Sequence, residues 1–276
     1  MDYEQVRLEI ADGVATLTLY RPERRNGWTR QMGAEFRDAL GRCERDDAVR
    51  VVVVTGAGRD FCVGADLERG GRVFQQAAAA RQAGEARRPL RAWEMRKPLV
   101  AALNGTCAGV GATLPLQMDI RIAGASTRIG FVFVRRGLVP ENACTWILPR
   151  LVGLSVAADL LLTGRLVGAD EARDLGLVSR VVPDDEVLAT AQALARDIAR
   201  ETAPVAVALT KRLLWCNAGE PDAATAEARD ARAFAWATQS ADAREGLRAF
   251  AEKRTPQWTL SPSTDLPALD EEPWEP

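Results

Sequence analysis

The stretch from Pro98 to Asp119 restricts what this chain can fold into more than any other. Pro98-Leu99-Val100-Ala101-Ala102-Leu103 is a short continuous apolar run of the kind that makes a buried strand. It runs into Asn104-Gly105-Thr106-Cys107-Ala108-Gly109-Val110-Gly111, and then into Ala112, Leu114, Leu116 and Met118, which favour helix. The spacing predicts a strand, a tight glycine turn and a helix. Gly105, Gly109 and Gly111 let the backbone approach a ligand closely, and the first helical amides have no intrahelical partner. Such a helix start attracts developing negative charge.

Two familiar glycine motifs are excluded. A phosphate loop needs Gly-Lys-Ser/Thr after its spacer, and no lysine occurs between Lys97 and Lys211. A dinucleotide fingerprint beginning at Gly109-Val110-Gly111 needs a third glycine where Leu114 stands. A glycine-lined packing contact between helix and strand remains the alternative to an anion-stabilising turn.

The residue inventory narrows the chemistry further. The 276 residues contain no histidine, which removes Ser-His and Cys-His nucleophile pairs and histidine metal ligands. Proton transfer near neutral pH then falls to a carboxylate, or to Cys, Lys or Tyr with a shifted pKa. Five cysteines without a close pair argue against a disulfide framework or a cysteine zinc site. Lys and Arg total 36 against 38 Asp and Glu, so neither nucleic acid nor an anionic membrane is expected as a partner. No apolar run approaches the roughly 20 residues of a membrane span. The start, Met1-Asp2-Tyr3-Glu4-Gln5, lacks the features of a signal peptide, so a cytoplasmic chain is expected.

Along the chain, Val6 to Ile10, Asp12-Gly13 and Val14 to Leu19 predict a β-hairpin. Thr29 is a candidate N-cap for a helix with Met32, Phe36, Leu40 and Cys43 on one face. Val49 to Val54 reads as a buried strand of a parallel sheet. From Arg72 to Lys97 seven bases and two acids suggest a solvated helical surface, broken into two helices near Gly84 and Pro89. Ile120 to Ala123 and Ile129 to Val134 predict strands, and Ala143 to Val152 a helix containing Pro149 and closed by Gly153. Residues 1–185 therefore read as an α/β core and 186–258 as amphipathic helices. The segment 259–276, with four prolines and five acids, reads as an extended tail ordered only against a partner.

A second glycine site follows the strand at Val49 to Val54: Phe61-Cys62-Val63-Gly64-Ala65-Asp66-Leu67. Gly64-Ala65 again offers small residues and a free amide, while Asp66 alone reads as a cap or first-turn acid. Taken with Lys97-Pro98, Asn104-Gly105 and Gly109-Val110-Gly111, this segment resembles the crotonase superfamily, also called the enoyl-CoA hydratase/isomerase family. Arg21-Pro22-Glu23-Arg24-Arg25-Asn26, Thr163-Gly164-Arg165 with Gly176-Leu177-Val178, and Phe250-Ala251-Glu252-Lys253-Arg254 extend the likeness over residues 5 to 258.

The resemblance implies a spiral of repeated ββα units, a C-terminal helical trimerisation region, a homotrimer or dimer of trimers, and an acyl-CoA substrate with no separate cofactor. By position, the amides of Ala65 and Val110 would meet the thioester oxygen as an oxyanion hole. Arg24, Val63, Gly64, Asp66, Leu67, Gly109, Phe133, Trp146, Phe250 and Lys253 would border the substrate. Val110 stands where the family usually has glycine, which narrows the pocket but leaves an amide. The two glutamates of the family's hydratases are replaced by Thr113 and Phe133, neither of which is a base near pH 7. Glu141 remains, at a position where some of the family's isomerases carry their acid. By itself it also reads as a favourable acid at a helix start. Three functions stay open: an enoyl-CoA isomerase or hydratase using Glu141 alone, a hydrolase or dehalogenase with Glu141 as nucleophile, and a non-catalytic CoA binder.

Overall fold

The computed structural model describes residues 3–66 and 90–267. Asp12 and Gly13, at φ 52° and 76°, make the turn between β1 (Val6–Ala11) and β2 (Val14–Leu19), the left-handed geometry that a two-residue hairpin requires. Thr29 caps α1 (Arg30–Arg45) by accepting from the Met32 amide at 3.0 Å, and α1 buries Met32, Phe36, Leu40 and Cys43. The chain then returns as β3 (Val51–Gly56), parallel to β2 and buried along its whole length.

β4 (Leu99–Leu103), β6 (Ile120–Gly124) and β9 (Arg180–Val182) complete a six-stranded sheet of order β1-β2-β3-β4-β6-β9, antiparallel only at the first pair. β5 (Thr106–Ala108), β7 (Arg128–Gly130) and β8 (Leu166–Gly168) form a second, smaller sheet. β4 passes into β5 through Asn104-Gly105, and β6 passes into β7, so successive turns of chain leave one strand in each sheet. This is the expected spiral. The helices of its later turns are α2 (Val110–Leu116), α3 (Cys144–Val152), α4 (Leu154–Thr163) and α5 (Ala169–Asp174).

Four helices follow: α6 (Val187–Glu201), α7 (Pro204–Asn217), α8 (Ala223–Gln239) and α9 (Ala241–Glu252). The first of them closes the core. Val187, Ala191, Ala195 and Ala199 lie at four-residue spacing against Val14, Val51, Val53, Val100, Ala102 and Ile122 of the sheet. Among the described residues every strand precedes residue 185 and only helices follow, and the large sheet and α6 share one core. Among the described residues no helix is long and apolar enough to cross a membrane.

Three local expectations are corrected. The strand expected over Ile129 to Val134 ends at Gly130, because β5 and β8 are three residues long and offer no further partners. Phe131 and Phe133 are instead buried by packing. The two helices expected between Arg72 and Lys97 fall largely on residues 67–89, outside the described residues. At the end of that basic segment, however, Lys97 is buried rather than solvated, donating to the carbonyls of Cys43 and Asp46. Finally, the start of the tail is ordered against its own chain: the Thr259 amide donates to Asp242 Oδ1 at 2.9 Å, and Arg96 to the Pro262 carbonyl at 2.8 Å.

Candidate active site

The two glycine segments lie side by side. The Phe61 amide donates to the Asn104 carbonyl at 2.6 Å, the Cys62 amide to that of Thr106 at 3.1 Å, and the Ala108 amide to that of Cys62 at 2.9 Å. On its other edge the segment pairs with Trp28, whose amide donates to the Gly64 carbonyl and whose carbonyl accepts from the Asp66 amide. In that parallel bridge Ala65 turns its own amide away from Trp28. Among the described residues this amide has no recorded acceptor.

Gly109, at φ 55°, turns the chain from β5 into α2, and its carbonyl accepts from Ala112 at 2.9 Å and Thr113 at 3.0 Å. Among the described residues Val110 and Gly111 are left as the unpaired first amides of the helix. The helix starts hard against the neighbouring segment. A Cβ on Gly109 would lie 3.5 Å from the Gly64 Cα, and one on Gly111 only 2.0 Å from the Cys62 carbonyl oxygen. Glycine at 111 is therefore what lets the two amide-bearing turns touch.

Polar side chains, fully buried at Asn26 and Asp60, hold these turns. Asn104 Nδ2 donates to the carbonyls of Gly56 at 3.0 Å and Gly58 at 2.9 Å. Asn26 donates to the Ala57 and Asp60 carbonyls and accepts from the Arg21 amide. Asp60, buried, accepts from Arg25 Nε at 2.8 Å and from the Thr106 amide at 2.9 Å. Burial raises its pKa, but hydrogen bonds from Arg25 and Thr106 outweigh burial and hold the carboxyl well below the usual range. Asp66 pairs with Arg21 at 2.9 Å, so it is a strut between loops rather than only a cap.

Glu141 precedes α3 by three residues and lies outside its first turn. Its Oε1 accepts from Thr113 Oγ1 at 3.1 Å and from Asn142 Nδ2 at 2.9 Å. The residues that replace the family's usual acids thus behave differently: Thr113 touches Glu141, whereas Phe133 sits in the core. Burial pushes the Cys62 and Cys144 thiols up to about 12, and the charge of Glu141 adds to both.

Of the other expected substrate contacts, Val63 and Gly64 belong to the first glycine segment. The Arg24 backbone lies beside Asp66 across Gly27, whose Cβ would meet the Arg24 carbonyl at 3.2 Å and Asp66 Cβ at 3.6 Å. Leu67 lies outside the described residues. Trp146 stacks under Arg150, with the guanidinium 3.9 Å from the ring centre, and its ring edge lies beside Gly219. Phe250 and Lys253, at the end of α9, are not brought to the glycine turns within one chain; Phe250 is 85% exposed. Sequence reasoning missed Asp60, Gln117 and Asn142. A buried acid, amide or left-handed asparagine has no periodic signature, so only its partners reveal it.

Turns of strand, short strand and helix stacked into two sheets and followed by a helical C-terminal region define the crotonase fold. The family model described as enoyl-CoA hydratase/isomerase matches residues 9–261. The enoyl-CoA hydratase ACTT3 of Alternaria alternata is 39% identical over 250 residues, covering 90% of this chain and 83% of that protein. The 1,2-epoxyphenylacetyl-CoA isomerase of Escherichia coli is 38% identical over 263 residues, covering 93% and 98%. A solved enoyl-CoA hydratase from Bacillus anthracis superimposes with a TM-score of 0.84 at 32% identity, covering 92% of this chain and 99% of that one. The chain belongs to the enoyl-CoA hydratase/isomerase family and is an enzyme of that hydratase or isomerase type.

Proposed function

We propose that this chain isomerises an enoyl-CoA thioester by moving one proton with Glu141 while the amides of Ala65 and Val110 stabilise the enolate oxygen. The observation that carries this is the contact between the two glycine turns, Gly109 against Gly64 and Gly111 against Cys62, with no acceptor for the Ala65 or Val110 amide among the described residues. Loss of an α-proton places negative charge on the thioester oxygen, and aimed backbone amides stabilise it without reorganising. A single carboxylate suffices for a proton shift between C2 and C4, since the proton taken from one carbon is returned to the other. Hydration by the family's usual route calls on a pair of acids, and Thr113 and Phe133 stand at both of those places. An isomerase among the close relatives agrees with this choice. The same reading takes the chain as a homotrimer or dimer of trimers, in which Phe250 and Lys253 border a neighbouring subunit's site.

The test is α-proton exchange in heavy water. With trans-3-hexenoyl-CoA as probe, wild-type protein should incorporate deuterium and form the 2-enoyl ester. Glu141→Gln should lose both activities by a factor of about 10² or more while keeping affinity for the ester. A Glu141→Gln variant with most of the exchange rate would overturn the role of Glu141. Tight binding with no exchange in wild type or variant would mark a non-catalytic CoA binder.

A further inference from the structure

Thr113 of α2 and Gln117, the residue that caps its C-terminal end, face the Glu141-Asn142 loop about one turn apart. Thr113 Oγ1 lies 3.1 Å from Glu141 Oε1 and 3.5 Å from the Val110 carbonyl oxygen. A hydroxyl has one proton, and the shorter contact to a charged oxygen takes it. Asn142 Nδ2 donates to the same Glu141 oxygen at 2.9 Å and reaches Thr113 Oγ1 at 3.3 Å. Gln117, buried, donates to the Asn142 carbonyl at 3.3 Å. Asn142 and Ala143 hold φ of 57° and 54°, a conformation that non-glycine residues keep only where their surroundings impose it. Here the hydrogen bonds to α2 help impose it.

We infer that Thr113 and Gln117 are positioning residues that register the Glu141 carboxylate against the helix whose first amide belongs to Val110. This rests on the reading of Glu141 as the proton carrier. One short helix then supplies an oxyanion donor directly and fixes the base through two side chains, so their separation does not depend on a flexible loop. A misplacement of about 1 Å between such groups costs about 10²-fold in rate. The Thr113 hydroxyl also favours the ionised carboxylate, so its loss raises the pKa of Glu141. Cys62 and Cys144 are among the titratable groups that act on this site with Glu141, and burial keeps both thiols neutral across the working range.

The experiment compares wild type, Thr113→Val, Thr113→Ser, Gln117→Met and Glu141→Gln on trans-3-hexenoyl-CoA in heavy water, each with its pH profile and thermal transition. Thr113→Val should lower kcat about 10- to 100-fold with KM nearly unchanged and move the acid limb to higher pH. Thr113→Ser should restore both. Gln117→Met should lower kcat without moving the limb, because it touches the loop carbonyl and not the carboxylate. Wild-type kcat in Thr113→Val, or Thr113→Ser as impaired as Thr113→Val, would overturn the proposal. If Thr113→Val shows no folding transition, a wild-type kcat in Gln117→Met would overturn it instead. An inactive Glu141→Gln beside an unimpaired Thr113→Val would remove the positioning role alone. An active Glu141→Gln, or a wild type that exchanges no α-deuterium, would remove the role of Glu141 and the inference with it.

Discussion

Asp60 shows how much a single buried residue does here. Its carboxylate joins Arg25 and the Thr106 amide, and its carbonyl accepts from Asn26, so one residue ties the loop before α1 to the start of β5. Because its folded pKa lies below the unfolded value of about 3.9, the ionised form stabilises the fold. That contribution is complete above about pH 5 and fades as pH falls through the depressed folded pKa. Asp60→Asn should therefore cost about 1 to 3 kcal/mol at pH 7 and flatten the loss of stability in acid. Urea unfolding at pH 7 and at about pH 2.5, below the unfolded pKa, checks this; a variant whose deficit is the same at both would contradict the assignment. Asp60 sits inside a recognisable motif, yet nothing in its neighbours marks it as more than a loop acid.

At the scale of elements, α2 is the piece on which the site depends. Seven residues long, it contains Pro115 and has little stability of its own; tertiary packing holds it. Its approach to the Phe61–Asp66 segment relies on Gly111, where any Cβ meets the Cys62 carbonyl oxygen. Gly111→Ala should push the helix start away from that segment and separate the Ala65 and Val110 amides. The expected result is a loss of turnover of about 10²-fold or more, with a stability cost of about 1 to 3 kcal/mol. Steady-state kinetics beside thermal unfolding decides it, and unchanged kcat would mean that the two amides do not act together. The strand-turn-helix form of this element was legible from its apolar run and glycines. The zipper of backbone bonds between Phe61 and Ala108 was not, because it joins segments more than 40 residues apart.

For the whole molecule, several large apolar side chains stand exposed on the helices. Leu154, Leu162, Phe234, Leu247 and Phe250 are each more than 70% exposed, and all five lie within α4, α8 and α9. Such exposure is what the proposed trimer would cover, and closed symmetry is the usual outcome for identical chains. Light scattering at micromolar concentration should give a mass three or six times that of the 29.9 kDa chain. A monomer would contradict the trimeric reading and the idea that Phe250 and Lys253 border a neighbour's site.

The sequence alone determined the order and kind of the elements. Hydrophobic period, caps and turn residues are local, and they placed the Asp12-Gly13 hairpin, the Thr29 cap, the central strand-turn-helix and the amphipathic helices after residue 186. Its motifs, in their order, determined the family. Only the tertiary structure decided that α6 closes the sheet's second face, that Lys97 is buried against carbonyls, that the tail lies on its own chain, and that Thr113 meets Glu141. Each of these depends on which distant groups satisfy a buried polar atom or cover an apolar face, and that pairing is set by packing rather than by any local pattern of residues.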